Sequence, residues 1–112
     1  MKDLAPSIFR QRVIIEGTCD KAITDGEIKD YLSQLSTVLE MRTLIDPVTD
    51  YSRFGWAGWI HWETSGAHFY AWDEPFIFFS VDIYTCKEFD VNHAADFTKK
   101  YFSASTIAYK SI

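Results

Sequence analysis

Gly55 to Cys86 reads GWAGWIHWETSGAHFYAWDEPFIFFSVDIYTC, and the alternation within this stretch decides the fold. From Phe76 to Thr85 the side chains sort into two faces, because successive residues of a strand point to opposite sides. Ile77, Phe79, Val81 and Ile83 form a wholly apolar face that should lie beneath helices. Phe78, Ser80, Asp82 and Tyr84 form a mixed face, suited to lining a site or a seam between two copies. Upstream, Trp56–Glu63 and Ala67–Trp72 predict a hairpin about Thr64-Ser65-Gly66, which puts Ser65 at a glycine-marked turn.

Outward from this block, Gln11–Thr18 has the β-branched run Val13-Ile14-Ile15 closed by Gly17 and predicts a first strand. A helix follows: Thr24-x-x-Glu27 is a capping box, and Ile28, Tyr31, Leu32, Leu35 and Leu39 recur at helical spacing. Arg42–Ile45 predicts a strand stopped by Asp46-Pro47, with Val48–Phe54 as a loop or short edge segment. Asn92 is placed to cap a second helix that carries Ala94, Phe97 and Tyr101 on one side, and Ser105–Ser111 predicts a last strand. Two helices on one face of an antiparallel sheet make a two-layer α+β sandwich, with residues 1–112 as a single domain.

With 112 residues the chain can build one core but is small enough that association is expected. A net charge of −5, with the 11 basic residues scattered, argues against a nucleic-acid partner. No run approaches the ~20 apolar residues of a membrane span, and the first twelve residues lack the apolar core of a signal peptide. Cys19 and Cys86 have no Cys-x-x-Cys spacing and read as reduced thiols, which suits a cytoplasmic protein. His61, His68 and His93 show no metal-binding spacing. The unusual quantity is 19 aromatic residues, more than a monomer of this size would bury, and the excess predicts a homodimer.

The central block resembles the core of the pyruvoyl-dependent S-adenosylmethionine decarboxylases of the short bacterial and archaeal class. Their corresponding stretch reads approximately Gly-Val-Ser-Gly, four apolar residues, Ser/Ala-Glu-Ser-His, then His-Thr-Trp-Pro-Glu and Val-Asp-Val-Phe-Thr-Cys-Gly. Laid without gaps from Gly55, the family's self-cleaving serine falls on Ser65, and its Trp-Pro-Glu falls on Trp72, Asp73 and Glu74. One inserted residue after Glu74 brings the last run onto Val81–Cys86. Gln11–Asp20 also resembles the family's first strand, which often ends in Cys-Asp. The departures are Ala57 for the processing serine, Tyr70 for the processing histidine, Thr64 for the glutamate before the cleaved bond and Gly66 for the histidine after it.

The resemblance implies a specific chemistry. The serine hydroxyl attacks the preceding carbonyl, the resulting ester eliminates, and hydrolysis leaves a pyruvoyl group, an electron sink for decarboxylation of an amine-bearing substrate. Ser65 is then the precursor of the cofactor and Cys86 the acid that reprotonates the product carbon. Phe54, Trp72 and Glu74 are the ligand-binding candidates, two rings for an adenine and a carboxylate for ribose hydroxyls. Ala57 has no hydroxyl, and the Tyr70 phenol is a poor base at neutral pH. His68 is the remaining candidate to move protons, although it stands ~6.6 Å from position 70 along the same face of a strand.

The expectation is therefore an S-adenosylmethionine decarboxylase-related protein, of the polyamine pathway by resemblance. It is read as not self-processed, a dimeric binder of S-adenosylmethionine or a nucleoside-like ligand or a partner of an active paralogue. The alternatives are an active pyruvoyl-dependent decarboxylase of S-adenosylmethionine or another amino acid, and a protein-interaction module.

Overall fold

The computed structural model describes residues 2–112. The elements run β1 (Gln11–Thr18), α1 (Asp25–Val38), β2 (Thr43–Ser52), β3 (Gly55–Trp62), β4 (Ser65–Trp72), β5 (Phe78–Thr85), α2 (Val91–Phe102) and β6 (Thr106–Ser111). The strands form one antiparallel sheet in the order β2-β3-β4-β5-β1-β6. Both helices pack on the same face, α1 over β2 and β3 and α2 over β1 and β6, so the two-layer α+β architecture holds.

Alternation places the core. Val13 and Ile15, Ile60 and Trp62, Ala67 and Phe69, and Phe79, Val81 and Ile83 are all buried beneath the helices. Helix α1 answers with Ile28, Tyr31, Leu32 and Leu35, also buried. Its start follows from the capping box: the Thr24 hydroxyl accepts from the Glu27 amide at 3.2 Å, and the Glu27 carboxylate accepts from the Thr24 amide at 3.2 Å. Two buried hydrogen bonds align the layers, since an unpaired polar group there is costly. Trp62 donates its indole N–H to Ser36 Oγ at 2.7 Å, and Tyr31 donates its hydroxyl to Thr98 Oγ1 at 2.7 Å, because Thr98 commits its own proton to the Ala94 carbonyl.

Glycine is required where a side chain would meet another element. A Cβ on Gly58 would stand 2.8 Å from an Ile28 methyl and 3.1 Å from the Val48 carbonyl, so the lack of a side chain lets α1 descend onto the sheet.

Four local expectations are corrected. The β3–β4 hairpin turns at Glu63-Thr64, and Ser65 and Gly66 are already in β4, so Ser65 is not a turn serine. Residues 43–52 form one edge strand through Pro47. Register shifts between Thr43 and Val48 absorb the irregularity, and an edge position tolerates the missing N–H. Asp90, not Asn92, caps α2: its carboxylate accepts from the Asn92 and His93 amides at 2.9 and 3.2 Å. Strand β5 begins at Phe78, two residues later than expected, because Phe76 and Ile77 complete the connection after Pro75.

Candidate functional site

Among the described residues no helix packs on the second face of the sheet, which is bordered at the β1 end by the N-terminal residues Lys2, Asp3 and Leu4 beside Arg12 and Tyr84. Its cross-strand rows follow from register. Val48, Trp59, His68, Asp82 and Ile14 lie side by side across five strands, and the next row holds Asp50, Ala57, Tyr70, Ser80 and Glu16. Along β4 the rings of Trp59, His68, Tyr70, Trp72 and Phe78 make a continuous strip, with successive centroids 6.3, 6.1, 6.3 and 5.3 Å apart. One ion pair interrupts this surface: Arg12 grips Asp82 through two nitrogens at 2.9 and 2.7 Å. Asp82 stood on the mixed face expected to line a site, but Arg12 and its pairing with Asp82 had no signal in the sequence, because their meeting depends on the β1–β5 register.

Ser65 lies at the far end of β4 and faces the helix side, nearly buried at 8% exposure. Its hydroxyl oxygen accepts from the Cys86 amide at 3.0 Å, so the structure brings these two candidates together. His68 is not on the same side. Three residues along an alternating strand, it projects from the opposite face, exposed and stacked between Trp59 and Tyr70. Thr64, Ser65, Gly66 and His68 nevertheless border one shallow depression with Arg12, Asp82 and Tyr84.

Ala57 and Tyr70 are directly paired across β3 and β4. The serine and histidine that the resemblance calls for at these positions would meet on the open face; here a methyl group meets a phenol. They are also remote from Ser65. Five residues separate Tyr70 from it, about 16 Å of strand.

Phe54, Trp72 and Glu74 gather at the other end of the sheet. The Asp73 amide donates to the Phe54 carbonyl at 2.9 Å, which ties the β2–β3 turn to the exit of β4. Gly55 makes this approach possible: at φ +142°, a Cβ there would stand 2.5 Å from the Ala71 carbonyl oxygen. Trp72 is half-buried in the ring strip, Phe54 is exposed under the Arg53 guanidinium at 4.8 Å, and Glu74 is exposed. Seven residues of β4 put this group about 23 Å from Ser65 within one chain.

Thr64, immediately before Ser65, has φ +53°. A β-branched residue is strained in this left-handed region by roughly 1–2 kcal/mol. Thr64→Gly should relieve most of it and raise the melting temperature by about 4 °C. Calorimetry checks this, and an unchanged or lower melting temperature would show that the turn bears no such strain.

The pattern of the S-adenosylmethionine decarboxylase family matches residues 11–112. Among solved structures, the crystal structure of the adenosylmethionine decarboxylase from Aquifex aeolicus VF5 superposes with a TM-score of 0.74. The match covers 94% of this chain and 89% of that one at 15% sequence identity, a likeness of fold. No curated protein matches the chain.

Proposed function

Since the chain belongs to the S-adenosylmethionine decarboxylase family, we propose that it is an unprocessed member that binds S-adenosylmethionine or a nucleoside-like ligand as a homodimer. The observation that carries this reading is the Ala57–Tyr70 pair: the positions where the family resemblance calls for the processing serine and histidine face each other across β3 and β4 as a methyl group and a phenol.

The family depends on a pyruvoyl group, which when formed supplies a ketone and an electron sink. The surroundings of Ser65 suit the finished group better than its making. Cys86 is adjacent, but the one side-chain hydrogen bond of Ser65 among the described residues comes from an amide, and His68 projects from the opposite face of β4. Ser65 and Cys86 are the residues that would hold the group and reprotonate its product.

Two features support pairing through the open face. The chain exposes 6955 Å², some 10% more than the ~6300 Å² of a compact monomer of its mass. An uncovered aromatic strip of this length is also the kind of patch that marks an interface. Two open faces laid in opposite directions would also set the Phe54, Trp72 and Glu74 end of one copy toward the depression of the other that Thr64, Gly66, His68 and Asp82 border.

Intact mass of freshly purified protein tests the processing reading: a single polypeptide is expected, and two fragments whose formation Ser65→Ala abolishes would overturn it. For the ligand, S-adenosylmethionine at a hundredfold excess over its dissociation constant should stabilise the fold by ~2.7 kcal/mol, several degrees of melting temperature. Glu74→Ala should erase that shift. No shift with S-adenosylmethionine or its decarboxylated analogue would reduce the family likeness to fold alone.

A second reading, an active decarboxylase of S-adenosylmethionine or another amino acid, draws on the Ser65–Cys86 contact and on the strained peptide at Thr64. The same mass measurement decides between the two.

A further inference from the structure

Resting on the reading that Ser65 and Cys86 belong to one site, we propose that Ser65 in the intact chain is a positioning residue for Cys86. Its hydroxyl oxygen holds the Cys86 amide and so determines where the thiol stands.

Cys86 is the first residue past β5 and opens the connection to the Asp90 cap of α2. Among the described residues no backbone-to-backbone hydrogen bond outside the regular elements involves residues 86–89, so helix and sheet geometry do not define this segment. Side chains define it instead. Fully buried Thr85 donates its hydroxyl to the Lys87 carbonyl at 2.7 Å. Gln11 brackets Phe89, donating to its carbonyl at 2.9 Å and accepting from its amide at 3.1 Å. Lys87 extends its ammonium to the Glu40 carbonyl just beyond α1 at 2.6 Å.

Of these anchors only Ser65 reaches Cys86 itself. Ser65 is nearly buried and Cys86 half-buried, so replacing the lost acceptor by water is costly, and an amide left unpaired would drive the loop to rearrange. The chain that does not cleave thus still has a use for the hydroxyl, which acts through its lone pair.

The test uses the uncleaved, ligand-free protein with Cys19→Ser, so that Cys86 is the sole thiol. Ser65→Ala should speed hydrogen exchange of the Cys86 amide about tenfold, equivalent to ~1.4 kcal/mol, and change the rate of Cys86 alkylation by iodoacetamide several-fold. The Phe69 and Val81 amides in the neighbouring strands should keep their protection. Ser65→Thr retains the acceptor and should bring both readouts to within about twofold of the parent. Parent-like exchange at Cys86 in Ser65→Ala would overturn the proposal, as would a loss of protection spread evenly over β4 and β5.

If Ser65→Ala does not fold, Gln11→Leu gives an independent arm. It cuts the anchor at the far end of the same loop, so exchange should accelerate at Phe89 while Cys86 stays protected by Ser65. Equal acceleration at both positions would overturn the assignment. None of these measurements involves cleavage or ligand, so this proposal and the functional reading fail separately.

Discussion

Phe69→Ala should cost about 3–5 kcal/mol, a large part of the ~5–15 kcal/mol that holds a typical domain together. Phe69 has no exposed surface, and its ring meets Tyr31 at 5.5 Å, Phe79 at 5.4 Å and Phe102 at 5.1 Å. It is therefore where α1, α2 and the sheet close on one another, and with Phe102 packed on both Tyr31 and Phe79 these rings cannot collapse into the vacated volume. Phe69→Leu, which keeps most of the volume, should cost under about 1.5 kcal/mol. Urea denaturation checks both: the midpoint should fall steeply for alanine with the slope unchanged. A loss below ~1 kcal/mol for alanine would mean that this cluster is not the cooperative core.

The other large effect concerns the open face. With Trp59→Glu and Phe78→Glu together, the proposed dimer should dissociate, because each carboxylate would be carried into an apolar seam without a partner. Even ~3 kcal/mol of penalty weakens the dissociation constant more than a hundredfold. Light scattering after size exclusion should give a dimer mass for the parent at micromolar concentration and a monomer mass for the variant. Both residues are only half-buried within one chain and lie outside the core cluster, so the variant should fold. A monomeric parent would refute the pairing and leave the aromatic strip to a ligand.

What could be read locally was read well. Capping by Thr24 and Glu27, the buried stripe of Ile28, Tyr31, Leu32 and Leu35, and the buried face of Phe79, Val81 and Ile83 all appear as the spacing predicts. Each depends on neighbours a few residues away in the chain. Three of the misreadings are shifts of a residue or two, and the fourth is larger: β2 continues through Pro47 to Ser52, seven residues past its expected end at Ile45. Asn92 and Asp90 are both capping residues, and only the path of the loop that Gln11 holds decides between them. Pro47 reads as a stop until its strand is known to lie at the sheet's edge.

The site was less legible. Ser65 and Cys86 could be named from the resemblance, but their contact joins residues 21 positions apart across two strands. The hairpin turning at Glu63-Thr64 moves Ser65 from an expected turn into a nearly buried strand position, because β4 begins two residues before Ala67 and alternation then puts Ser65 on the same side as Ala67 and Phe69. The same parity sets His68 on the other side of the sheet. The pairing of Ala57 with Tyr70, the Arg12–Asp82 grip and the 23 Å between the Trp72 end and Ser65 are matters of register and strand order. The sequence by itself determined which residues alternate, which face is apolar and where α1 starts, since these are properties of the local backbone. Only the tertiary structure decided which side chains meet, because strand pairing joins segments whose relative position no local pattern records.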